Sequence, residues 1–72
     1  MRKIPRVKAE RLKRNWSQTD LAFFARMSSS DVSRIETGRM IPYSTHAERL
    51  AKALGIHPDE LLEKVEPETE NA

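Results

Sequence analysis

Seventy-two residues, 38% hydrophobic and 33% charged with four prolines and two glycines, make at most one small globular domain with a compact core. The lack of cysteine excludes disulfides and thiolate zinc sites. No apolar run follows the basic start Met1-Arg2-Lys3 as it would in a secretion signal, and nothing approaches the ~20 apolar residues of a membrane span, so a reducing, cytoplasmic setting is expected. Net charge is only +2, yet residues 1–39 hold ten Lys and Arg against four Asp and Glu, and residues 40–72 hold three against seven. That asymmetry gives one half of the molecule a basic face suited to a polyanion.

Met1 to Pro5 reads as a basic arm, with Pro5 at the entrance of a first helix. That helix runs from Arg6 to Asn15; Ala9, Leu12 and Trp16 share one face, and Asn15 ends it in a left-handed conformation. Ser17-Gln18-Thr19-Asp20 approximates a capping box and opens a second helix whose buried stripe is Leu21, Ala22 and Ala25. Arg26-Met27 interrupts the pattern, and Ser28-Ser29-Ser30-Asp31 repeats the capping signal. A third helix follows, with Val32 and Ile35 inward and Gly38 beyond its end. So short a break forces the second and third helices to cross steeply.

Arg39 to Tyr43 is a loop. Thr45-His46-Ala47-Glu48 reads as a fuller capping box for a fourth helix, striped by Ala47, Leu50, Ala51 and Leu54 and closed by Gly55. His57-Pro58-Asp59-Glu60 starts a fifth, with Pro at its first position and two acids in its first turn, and Leu61, Leu62 and Val65 are expected to dock on the core. Residues 66–72 are acidic without large apolar side chains, a composition expected to stay disordered. The chain therefore divides into a basic arm (1–5), an all-α five-helix domain (6–65) and an acidic tail (66–72).

Residues 17–38, SQTDLAFFARMSSSDVSRIETG, resemble the helix-turn-helix of the phage-repressor/Cro-type (XRE) family. The likeness rests on Ser17-Gln18, Leu21-Ala22, the short turn at Arg26-Met27, the serine-rich second cap and Ile35-Glu36-Thr37-Gly38. It extends outward through Arg6-Val7-Lys8, Arg11-Leu12, Pro42, Leu50 to Gly55, and Asp59 to Leu62, and so covers residues 6–65. It implies a lambda-repressor-like fold, a prokaryotic or phage-encoded source, and a transcriptional regulator that represses by occupying a palindromic double-stranded DNA operator as a homodimer, formed in solution or only on DNA. No enzyme activity, cofactor, metal or small-molecule effector is implied.

A helix about 10–12 Å across fits the major groove, where each base pair shows a distinct set of donors and acceptors. With Val32 and Ile35 turned inward, Ser29, Ser30, Ser33 and Arg34 face outward and match the family's base-reading positions. Arg34 is the strongest of them, since bidentate Arg to guanine is the commonest specific contact. Serine hydroxyls donate or accept and discriminate weakly, which leaves room for DNA shape. Gln18, at a helix N-terminus, is assigned both a phosphate and an outer base contact. Ser28 caps its helix and lies at a phosphate-facing N-terminus; Arg6, Lys8 and Arg39 complete the phosphate set, and Arg2 and Lys3 follow the backbone or enter a minor groove.

Arg11 and Glu36 resemble the family's structural ion pair and are left out of the interface, and Trp16 is read as core. Met40, Ile41, Tyr43 and the Leu61/Val65 surface are the expected dimer contacts. Two departures stand out. Arg26 occupies a turn position where the family usually has glycine, and a left-handed conformation there costs a non-glycine residue ~1 kcal/mol. Phe23 and Phe24 stand where charged residues are usual; either helix 1 or the arm covers them, or they form a protein-contact surface. Three other roles use the same fold: an antitoxin, whose main partner is a protein; a restriction-system controller or phage regulator; and a protein-interaction module without DNA binding.

Overall fold

The computed structural model describes residues 2–67; the expected tail falls outside the described residues beyond Pro67. The order of elements is strand β1 (Ile4–Pro5), helices α1 (Arg6–Lys13), α2 (Gln18–Ala25), α3 (Ser29–Glu36) and α4 (Ser44–Leu54), a single 3-10 turn (Pro58–Glu60) and strand β2 (Lys64–Val65). α2 packs on both α3 and α4, and α1 on α4. Val7, Leu21, Ala22, Ala25, Val32, Ile35, Leu50, Leu54 and Leu61 form the shared core. None of the helices among the described residues is long and apolar enough to cross a membrane.

The fold is mostly helical, but it has four α-helices where five are expected. Pro58 does open a turn, with His57 N–H donating to Glu60 at 2.8 Å. The turn goes no further because its following carbonyls are taken from outside. Val7 N–H donates to the Leu61 carbonyl at 2.9 Å and Arg6 N–H to that of Glu63 at 2.8 Å. Continuing the helix would need the Leu61 carbonyl for the N–H of Val65. The same bonds serve α1, whose N-cap Pro5 has no side-chain acceptor to offer its first N–H groups. Part of the basic arm is accordingly a strand: Ile4 pairs with Val65 and Pro5 with Lys64, antiparallel.

Three further expectations shift. The face α1 buries is Val7, Glu10 and Arg11, while Ala9 and Leu12 are only half-buried. Paired charges made this possible, and apolar periodicity cannot register them. α4 starts at Ser44 behind Tyr43, whose carbonyl accepts from Ala47 N–H at 2.8 Å, so Thr45 lies inside the helix rather than capping it. Leu61 is 1% exposed and belongs to the core, which removes it from any dimer surface; Leu62, expected to dock, is 42% exposed.

Candidate nucleic-acid interface

α2 begins with a full capping box: Ser17 Oγ accepts from Asp20 N–H at 3.0 Å, and the Asp20 carboxylate accepts from Ser17 N–H at 2.9 Å. It ends at Arg26, which takes the left-handed conformation at φ 58°, so the strain foreseen at this turn is present. Arg49 on α4 donates to the Arg26 carbonyl at 3.2 Å and fastens the turn to the scaffold. Two residues later Ser28 caps α3, its Oγ accepting from Asp31 N–H at 3.1 Å. The leading N–H groups of both helices have no intrahelical acceptor, which makes each end a place where a phosphate oxygen can bond.

Val32, Ile35 and Glu36 are the buried residues of α3, so the opposite side faces solvent. Ser29, Ser30 and Arg34 are exposed there and Ser33 is half-buried. Arg34 lies against its own helix, its guanidinium donating to Asp31 at 3.1 Å. The sequence reading missed this pair, although the i,i+3 spacing carries it. After α3, Gly38 at φ 80° reverses the chain, and Arg39 N–H bonds the Arg34 carbonyl at 2.8 Å, so Arg39 emerges exposed beside the helix end.

Behind this face lies a buried polar knot. Arg11 grips Glu36 with two hydrogen bonds of 2.7 and 3.0 Å, and its third bond, 2.7 Å, goes to the Trp16 carbonyl. Gln18 donates its side-chain amide to the same Glu36 at 3.1 Å. One carboxylate thus ties α1, the start of α2 and the end of α3 together, and Gln18 is held rather than loose. Lys8 lies one turn before Arg11 on α1 and is half-buried.

Arg6 has a different occupation. Its guanidinium meets Glu10 and Glu63 at 3.3 Å and Glu60 at 3.7 Å. A phosphate at Arg6 would have to displace three carboxylates, which the sequence, with Glu60 and Glu63 more than fifty residues away, does not suggest. Glu10 is a second hub, bonded by Arg14 at 2.9 Å and paired with Lys13 at 3.4 Å. Burial pushes its carboxyl upward, but the Arg14 hydrogen bond and the Lys13 charge outweigh burial and leave it below the usual carboxylate range. Much of the positive charge on α1 is therefore neutralised within the domain.

The two phenylalanines are not covered by the arm or by helix 1: Phe23 is 77% exposed and Phe24 52%. Trp16, read as core, is half-buried and stacks on Phe24 with ring centroids 4.5 Å apart.

Two eight-residue helices joined at a left-handed residue, the second with a polar face turned to solvent, define a helix-turn-helix DNA-binding domain. The family model described as helix-turn-helix matches residues 7–61, and the chain belongs to this XRE-type helix-turn-helix family of DNA-binding transcriptional regulators. Among solved structures, it is similar to the restriction-modification controller protein C.AhdI from Aeromonas hydrophila, 33% identical over 76% of this chain and 83% of that one, with a TM-score of 0.71. It is also similar to a hypothetical transcription factor, NHTF, from Neisseria, 30% identical with a TM-score of 0.72; the match covers 79% of this chain and 64% of that one. A comparison with curated protein sequences gives no match.

Proposed function

We propose that the chain is a sequence-specific repressor that binds a palindromic operator as a homodimer, with residues 6–65 carrying that function. The observation that supports this best is the outward face of α3, where Ser29, Ser30, Ser33 and Arg34 stand over a rigid Arg11–Glu36–Gln18 knot. Arg34 reads guanine. Its exposed bond to Asp31 is worth ~0–1 kcal/mol, whereas a bidentate base contact discriminates by ~1–3 kcal/mol; the arginine gains by leaving its helix for DNA. The serines supply small polar contacts that let the backbone approach closely. Gln18, Ser28, Lys8 and Arg39 bind phosphates and fix the register. Arg6 is assigned to the fold instead, because of its three carboxylates.

Dimerisation is supported by the apolar loop after α3. Ile41 and Tyr43 are largely exposed next to half-buried Met40, with Leu62 exposed in the C-terminal segment. Two such subunits set their α3 helices in successive major grooves about 34 Å apart. The likeness to a restriction-modification controller favours one particular setting, in which the operator lies beside restriction-modification genes. Selection from a random duplex pool at physiological salt tests the proposal. Enrichment of a two-fold symmetric site is expected. Retention without enrichment, lost steeply as salt rises, would reduce the activity to phosphate binding.

A further inference from the structure

The C-terminal end of α2 and the second half of α4 enclose a groove of about 390 Å³, lined by Phe24, Ala25, Arg26, Arg49, Lys52 and Ala53. Its lining includes three cations and no carboxylate, and nothing from α3. Among the described residues, Arg26, Arg49 and Lys52 form no ion pair. The accessible apolar part is Ala53 and the Phe24 ring, against which Phe23 stands edge-on at 5.5 Å and Trp16 stacks, with core residue Ala25 beneath them. Adjacent exposed aromatics beside a cationic groove suit a contact surface better than an ordinary solvated helix face.

We propose that this groove docks an acidic, amphipathic segment of another protein: a large apolar side chain lies on the Phe24 ring and Ala53, and flanking carboxylates meet Arg26, Arg49 and Lys52. Both halves of that description are needed. A DNA backbone offers charge but no side chain for the apolar floor. Residues 66–72 offer carboxylates without a large apolar residue. A second copy would present its apolar loop, Met40 to Tyr43, which is preceded by Arg39 and repeats the charge of the groove, or Leu62, whose neighbouring carboxylates Glu60 and Glu63 are already held by Arg6 of their own chain. An acidic amphipathic peptide complements charge and apolar surface together.

The test uses the full chain and a short synthetic peptide that alternates Asp and Glu with Leu and Phe. Trp16 is the single tryptophan and stacks on Phe24, so its emission reports on the groove. Saturable change in that emission is expected, with amide shifts at Phe24, Arg26 and Ala53. Phe24→Ala and Lys52→Glu should each weaken binding about tenfold, the scale of one lost charged or buried contact, and Lys52→Glu should leave DNA affinity intact. Four results would overturn the proposal: no saturable change, undiminished binding by Lys52→Glu, equal binding of a peptide with Ser in place of Leu and Phe, or shifts confined to residues 28–34.

Discussion

α2 and α3 are both eight residues long, and each begins behind a serine cap with an aspartate in its first turn. In α2 that aspartate, Asp20, reaches back to the Ser17 N–H and completes the box. In α3 the corresponding Asp31 turns forward and holds Arg34. The difference continues on their outer faces, which carry two phenylalanines on α2 and serines with one arginine on α3. A sequence pattern used twice has thus produced one helix closed on its own polar groups and one whose arginine is held by a weak, exposed bond. The arginine of the second is therefore the group most easily turned toward a ligand.

The sharpest way to break this contrast is to remove what holds both helices. Glu36→Ala strands Arg11 and frees Gln18, and loss of one partner of a buried pair costs ~3–5 kcal/mol. Urea denaturation should show a large fall in midpoint, which in a domain this small leaves much of the protein unfolded. A milder comparison sets Ser17→Ala beside Ser28→Ala. Caps are worth ~1 kcal/mol, and the two variants should lose about the same amount, because alanine keeps the backbone N–H through which residue 17 bonds the Asp20 carboxylate; thermal unfolding of the two variants checks this.

Smaller effects sharpen the picture. Arg26→Gly relieves the left-handed arginine between the two helices and should stabilise by about 0.5–1 kcal/mol in the same unfolding experiment. Glu10 gives a pH signature. Its folded carboxyl titrates below the ordinary value of roughly 4.3, so its contribution is present above that value and is lost as pH falls through the lower folded one. Stability measured from neutral pH into acid should therefore decline less steeply for Glu10→Gln than for the natural protein.

The helix-turn-helix was legible in the sequence because its determinants are local. Ser17 with Asp20, Ser28, and the left-handed Asn15 and Gly38 mark helix ends within a few residues, and Leu21, Ala22, Ala25, Val32 and Ile35 repeat at helical spacing. The outward positions 29, 30, 33 and 34 followed from that stripe. What was hidden depends on residues far apart in the chain. The backbone bonds from Arg6 and Val7 to Glu63 and Leu61 stop the fifth helix and create the strand pair. The carboxylates around Arg6 and the junction of Arg26 with Arg49 belong to the same kind. Buried Glu10 and Arg11 misled the apolar count, since a paired charge takes the place of a hydrophobic residue in the pattern.

The most direct test of base reading by α3 is a comparison of Arg34→Ala with the natural protein on a duplex enriched from the random pool. The quantity to measure is the ratio of affinities for the enriched and a scrambled duplex at one fixed salt concentration. The expected result is a drop in that ratio of about one to two orders of magnitude, from the ~1–3 kcal/mol of a lost bidentate contact, with thermal stability unchanged. A folded Arg34→Ala variant that keeps the full ratio would contradict the assignment and move recognition away from this helix face.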